Sequence, residues 1–537
     1  MKLSAPQRLH EHLVTHFASP PSASLLSGSP RTPGVLARAG DGLGLSRRQA
    51  LALLAGASAL PWAAQAASQT NAVRIAMPLE PNSLDTTTSA AAANAQVAHY
   101  NILQGLTRIE QDGQVTPCLA SHWEHSPDRL QWRFTLRDRL RFHDGQVCDA
   151  HCVVASFTRA QQPGSGNKAR LQLFANIEHL SAPDARTVVL HLKRPDTHLL
   201  FRLGESTAVV LHPQTWHQAA THPIGTGPYQ FLRWVPGKEI RLQRTSNYWG
   251  ELPPIEHVVF RFIPETQDQV RAFVRQEVDL FFSFISEEFN RFRDSTHYQV
   301  LMGSSSGKGL LAFNHRLPLL RDVRVRRAIT HAIDRESFIQ KVLQGQGTVI
   351  GSHFAPSEPG YIRLSSTHPY DPERARSLLR AAGVTQPVSL KLSLPPTPYA
   401  RQGGAELTQN LAQVGIELEI EQLTWQQWLA GPFAGKFELT LINHVEPLDY
   451  AIYGDPDYYF GYDNAEFRAL LHQHATARSA REEQLLLVQL QRFLAQDAAN
   501  VWIFNGAVGT VLHKGLQGAW VNYPIFAHDV ASMRWEA

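Results

Sequence analysis

The hydrophobic pattern of this chain changes character once, at Lys308. Before that point short alternating runs follow one another across tight turns; after it, strand-like runs alternate with helical ones. A β-rich first half and an α/β second half need separate cores, and 537 residues exceed what one core holds. In the first half we expect strands at 73–77, 132–136, 141–145, 187–192, 229–234, 239–243, 258–262 and 278–282. The run 79–89 reads as a loop, and helices are expected at 94–106, 150–159 and 267–276, the second capped by Asp149. Gly225-Thr226-Gly227-Pro228 sets a tight turn into the 229–234 strand. In the second half, strands at 309–313, 388–394 and 416–420 alternate with helices. Asp322 caps one helix, Asp371-Pro372-Glu373 starts another that Gly383 ends, and a third covers 406–414. Two more are expected at 466–472 and 481–496, before a strand at 501–504 that heads back to the first lobe.

The stretch 437–462, FELTLINHVEPLDYAIYGDPDYYFGY, begins as a strand and then presents two acids, Glu446 and Asp449, followed by five tyrosines and Phe460. A carboxylate at the end of a buried strand faces the crevice where open α/β sheets bind ligands, and aromatics give that crevice an apolar wall with polar tips. The stretch therefore reads as one wall of a cleft for a small cationic or zwitterionic solute. A surface loop rich in acid and tyrosine is the competing reading of the same residues.

Residues 1–44 are rich in Ser, Pro, Gly and Ala without periodicity and read as disordered, or as the product of an early start site. Arg47-Arg48, an Ala/Leu run to Pro61 and Ala64-Gln65-Ala66 then make a charged, apolar and small-residue series typical of export signals. Ser46-Arg47-Arg48 followed by Leu51 resembles the twin-arginine signal; a general secretory signal is the alternative. The mature, periplasmic chain is expected to begin near Ala67. A net charge of +3 with no basic block leaves no footprint for nucleic acid. Of three cysteines, Cys148 and Cys152 flank His151; with no second Cys/His pair to complete a tetrahedral set, they read as buried small residues rather than metal ligands.

Several ordered segments resemble the extracellular solute-binding proteins of family 5, the peptide- and nickel-binding subunits of ABC importers. They are Pro117-Cys118-Leu119-Ala120-Ser121-His122-Trp123, Phe142-His143-Asp144-Gly145, Gly225-Thr226-Gly227-Pro228-Tyr229, Asn247-Tyr248-Trp249-Gly250, Asp322-Val323-Arg324-Val325-Arg326-Arg327-Ala328-Ile329 and Asp371-Pro372-Glu373-Arg374-Ala375. The resemblance implies an α/β, bilobed type II periplasmic binding fold with an extra subdomain on the first lobe. The implied organisation is a leader (1–66), lobe I in two parts (67–113 and 224–306) around the subdomain (114–223), lobe II (307–504) and a lobe I C-terminal segment (505–537). Crossovers are expected near 303–308 and 504–509. In peptide-binding relatives an acid after the corresponding strand holds the ligand's amino group, which implicates Glu446 or Asp449. Trp425, Tyr459, Tyr462 and His444 join them as lining. Some relatives use an Arg for the ligand carboxylate; Thr397 falls at that spacing, and Arg401 nearby is either that cation or a surface charge. The implied partners are a peptide or small solute and a membrane permease with its ATPase, around a monomer without cofactor or resident metal.

Two other readings compete. Gly303-Ser304-Ser305-Ser306-Gly307 matches the pattern of a hydrolase nucleophile elbow, which requires a strand before and a helix after; here a strand-like run follows. Family members that bind nickel, together with 25 histidines, point to a metal chelate as the alternative ligand.

Overall fold

The computed structural model describes residues 71–536 except 90, 285, 286 and 478. The export signal and the expected mature start lie outside the described residues. In chain order the principal strands are β1 (Ala72–Met77), β2 (Ala120–His125), β3 (Gln131–Leu136), β4 (Ile177–Asp184), β5 (Thr187–Leu192), β6 (Tyr229–Val235), β7 (Glu239–Arg244) and β8 (His257–Phe262). They continue with β9 (Leu280–Phe284), β10 (Tyr298–Ser304), β11 (Lys308–Phe313), β12 (Val388–Leu394), β13 (Ile416–Gln422), β14 (Leu439–His444) and β15 (Val501–His513).

One long strand joins the two lobes. The first residues of β15 pair with β11, whose other edge carries β14, β12 and β13 in that order. The last residues of β15 pair with both β9 and β10, and β9 leads on to β1, β8, β7 and β6. Between them Asn505 and Gly506 pair with Thr348 and Gly347. In the second lobe β12 runs parallel to both neighbours, as crossover helices require. Its core packs Leu311, Phe313, Leu392, Leu439 and Leu441 against helix faces that include Val325, Ile329 and Leu407. A separate four-stranded antiparallel sheet, in the order β2-β3-β5-β4, has its own core around Phe134, Phe142, Phe157 and Leu190.

Several expected elements differ, three of them near the first lobe's turns or within helices. The helix read over 94–106 covers only Ala92–Ala98, because Tyr100 takes φ +64 and its hydroxyl accepts the Ile109 amide at 2.8 Å, while Asn101 donates to the His528 carbonyl at 2.8 Å. These tertiary partners displace the next helical turn. The 141–145 strand is a turn: Arg141 and Val147 form an isolated bridge and Gly145 takes φ +87. The helix read from 406 starts at Pro398 and runs to Ala412. Its Gly403 lies where a Cβ would stand 2.6 Å from the Phe338 ring, so the pair Gly403-Gly404 marks close packing rather than a helix boundary.

Candidate functional site

The end of β14 and the loop after it sit over a buried charge network. Lys308, the first residue of β11 and 0% exposed, aims its ammonium at Asp449 Oδ1 (3.0 Å), Glu358 Oε1 (3.1 Å) and the Glu446 carbonyl (2.6 Å). Burial opposes its charge, but Asp449 and Glu358 hold its pKa above the ordinary lysine value. Asp449 also accepts from His353 Nε2 (2.9 Å) and His444 Nδ1 (3.4 Å). Against the cost of burial, His353 and Lys308 keep its carboxyl well below the usual carboxylate range. His353 is itself pushed down to about 4 by burial and is neutral. With Nε2–H donated to Asp449, its Nδ1 accepts from the Tyr453 hydroxyl (3.1 Å) and the Trp502 indole (3.3 Å). His444 Nε2 meets the Tyr459 hydroxyl at 3.0 Å, and the two rings stack at 6.0 Å. Glu358 clamps the loop from below, accepting the Leu448 amide at 2.9 Å where Leu448 turns with φ +54.

The expected site residues separate into three groups. His444, Asp449 and Tyr459 form one network. Glu446 lies on the same loop: its Oε2 accepts the Val445 amide at 3.2 Å, whereas its Oε1 is buried with no hydrogen-bond partner among the described residues. The Asn443 side-chain oxygen and the Tyr458 hydroxyl, on the flanks of this loop, are buried and unpartnered in the same way. Trp425 stands half-buried at the margin of the aromatic cluster, 5.8 Å from the Trp428 ring. Tyr462 turns away, donating to Asp497 Oδ2 at 2.8 Å, a carboxylate that also pairs with Arg326. Arg401 is exposed in the first turn of the Pro398–Ala412 helix.

Lys308, Glu358 and His353 escaped the sequence reading. Lys308 carried a signal, since a lysine leads an otherwise apolar strand; Glu358 and His353 lie in an irregular segment with no pattern to mark them. His353, His444 and Asp449 could hold a metal, their donor atoms lying within 4.8 Å of one another. Every one of those ring nitrogens already has a protein hydrogen-bond partner, and Lys308 supplies the cation beside Asp449. The Ser305 pattern lies in the crossover between β10 and β11, and its hydroxyl accepts the Gly307 amide at 3.2 Å. A strand follows it, which is not the setting of a nucleophile elbow.

The opposing wall comes from the first lobe. Tyr100 is buried beneath the Arg108 guanidinium, 4.4 Å from its ring centre, and Arg108 pairs with Asp529 at 2.5 Å. The two walls meet in one apolar cluster that holds Tyr100, Ile109 and Phe201 from one side and Tyr450, Tyr453 and Tyr459 from the other. Polar contacts also cross the gap: His198 Nε2 to the Tyr450 hydroxyl at 2.5 Å, and Arg129 to Glu483 at 2.5 Å. The lobes are shut.

Comparison with known proteins agrees with this geometry. The chain is 29% identical over 399 residues to the nickel-binding periplasmic protein of Escherichia coli K12, covering 70% of this chain and 74% of that protein. It is 27% identical over 377 residues to the dipeptide-binding protein of the same organism, covering 65% and 70%. Among solved structures, HbpA2 from Haemophilus parasuis superposes with a TM-score of 0.79 at 20% identity, over 87% of this chain and 100% of that one. NikA from Brucella suis, in complex with Fe(III)-EDTA, gives 0.75 at 22% identity, over 87% and 100%. The profile of bacterial extracellular solute-binding proteins, family 5, matches residues 114–467, and the chain is a member of that family: a periplasmic solute-binding protein of bilobed type II fold.

Proposed function

We propose that this protein is the solute-capturing subunit of an ABC importer, that its ligand is a small peptide or related solute with a protonated amine, and that it hands this ligand to a membrane permease with its ATPase. The observation that carries the reading is the buried Glu446 Oε1, which has no hydrogen-bond partner among the described residues. A buried carboxylate oxygen without a donor is costly, and an ammonium supplies the donor that Glu446 Oε1 lacks. Between the two acids the geometry favours Glu446, because Asp449 is already neutralised by Lys308. One charge-assisted bond supplies about 1.5–3 kcal/mol, whereas micromolar binding needs about 8 kcal/mol. Closure of the aromatic walls over the ligand must provide the remainder.

Mass spectrometry of the solute that co-purifies with the exported protein identifies the ligand, and calorimetry then measures its binding. We expect Glu446→Gln to weaken affinity at least about tenfold, the equivalent of 1.4 kcal/mol. Unchanged affinity would remove Glu446 from the site. A metal chelate is the second reading, favoured by the His353, His444 and Asp449 cluster; stoichiometric metal in the purified protein, lost in His444→Ala, would replace the amine reading.

A further inference from the structure

At the start of the Ala150–Gln161 helix, in the four-stranded sheet's subdomain, two cysteines stand four residues apart across the helix cap. Cys148 is buried, 3% exposed, and packs in that subdomain's core. Cys152, in the first turn of the helix, is half-exposed, and the two thiols lie close enough to perturb each other's ionisation. The Cys152 sulfur also lies 3.8 Å from the Val147 carbonyl, so it is held over the segment that carries Cys148. Asp149 between them caps the helix by accepting the His151 and Cys152 amides at 3.0 and 3.2 Å, which fixes the backbone on both sides of the pair.

We propose that Cys148 and Cys152 are a redox pair that closes to an intrachain disulfide in the oxidising compartment where the protein works. The two partners are chemically unequal in the way such a reaction uses. The neighbouring Cys148 thiol holds the Cys152 thiol below its ordinary pKa, against partial burial. The same contact, with burial, pushes Cys148 up. Cys152 is therefore the accessible thiolate that attacks an external disulfide, and Cys148 is the sheltered resolving thiol. In the first step the Cys152 thiolate forms a mixed disulfide and expels one thiolate from the oxidant. In the second, Cys148 loses its proton, attacks the Cys152 sulfur and expels the other. Two electrons and the two thiol protons pass to the oxidant, which leaves as two thiols. Cys118, buried with its thiol pushed up to about 11 by its surroundings, takes no part.

The test uses the purified mature protein, reduced and then treated with oxidised glutathione. Thiols counted after denaturation should fall from three to one, with loss of two hydrogen masses and no retained glutathione. Proteolytic mapping should place the new bond between Cys148 and Cys152. Cys148→Ser should trap glutathione on Cys152, and Cys152→Ser should keep both remaining thiols. Three surviving thiols in the wild type, a stable glutathione adduct on it, or a bond that includes Cys118 would each overturn the proposal. Because mapping is done on the wild type, a poorly folded variant does not blunt the test.

Discussion

Lys308 shows how one residue can hold the loop of a candidate site in place. Its ammonium has no water to turn to and depends on two carboxylates and a carbonyl, all from segments that border the candidate site. Removing one partner of a buried ion pair leaves an uncompensated charge, which is far more costly than the pair's net worth. We expect Lys308→Met to destabilise the protein by about 3–5 kcal/mol, read as a lower denaturant midpoint at unchanged slope. A loss under about 1 kcal/mol would mean that Glu358 and Asp449 accept protons or water without strain. In the sequence this lysine marks the change of pattern, and its function could not be read there. A charge at the head of an apolar strand looks like an element boundary until a partner 141 positions later is seen to fold over it.

At the scale of elements, strands with their own alternation were legible: β1, β5, β7 and β12 stand within a residue of their expected limits. The elements that bridge cores were not. From the sequence β15 is expected to end at 504, with a crossover at 504–509; in the structure Asn505 and Gly506 pair with Thr348 and Gly347 and the strand runs on to His513. Of the site, the loop that bears Glu446 and Asp449 was legible from acids placed after an apolar run. His444 was legible with it, but Lys308 and His353 were not, because no local pattern encodes a contact across the chain. The other crossover depends on close backbone approach. A Cβ on Gly303 would fall 1.8 Å from the Val521 carbonyl, whereas one on Gly307 would meet the Asn443 side-chain amide at 3.1 Å and the Ser305 hydroxyl at 3.2 Å. We therefore expect Gly303→Ala to cost about 1–3 kcal/mol through forced backbone shifts. Gly307→Ala should cost clearly less, as the Asn443 and Ser305 side chains can move. Thermal denaturation of the two variants side by side checks the order, and equal losses would contradict the packing argument.

For the whole molecule, closure should depend on pH. The lobes touch through His198 on one side and Tyr450 and His474 on the other, with the His198 and His474 rings 6.0 Å apart. Arg202 and Asp196 flank this contact from the first lobe, and the Arg129–Glu483 pair lies beside it. In the shut form burial, then Arg202 and His474, hold His198 well below its ordinary pKa; burial, then Arg129, lowers His474 to about 4. Opened to water, both should titrate near 6.5, so the shut form binds fewer protons than the open one. Closure is then fully supported above about pH 6.5 and loses support as pH falls towards 4, by up to about tenfold per histidine for each unit. Glu205, pushed up to about 7 by burial, titrates in the same window, so the wild-type slope alone does not assign the effect. The double variant His198→Gln/His474→Gln does. Small-angle scattering should show the wild type compact at pH 7.5 and expanded at pH 5, and should show the double variant with a much flatter response. If the wild type keeps one radius of gyration across that range, the histidines are not what couples the proton to the hinge.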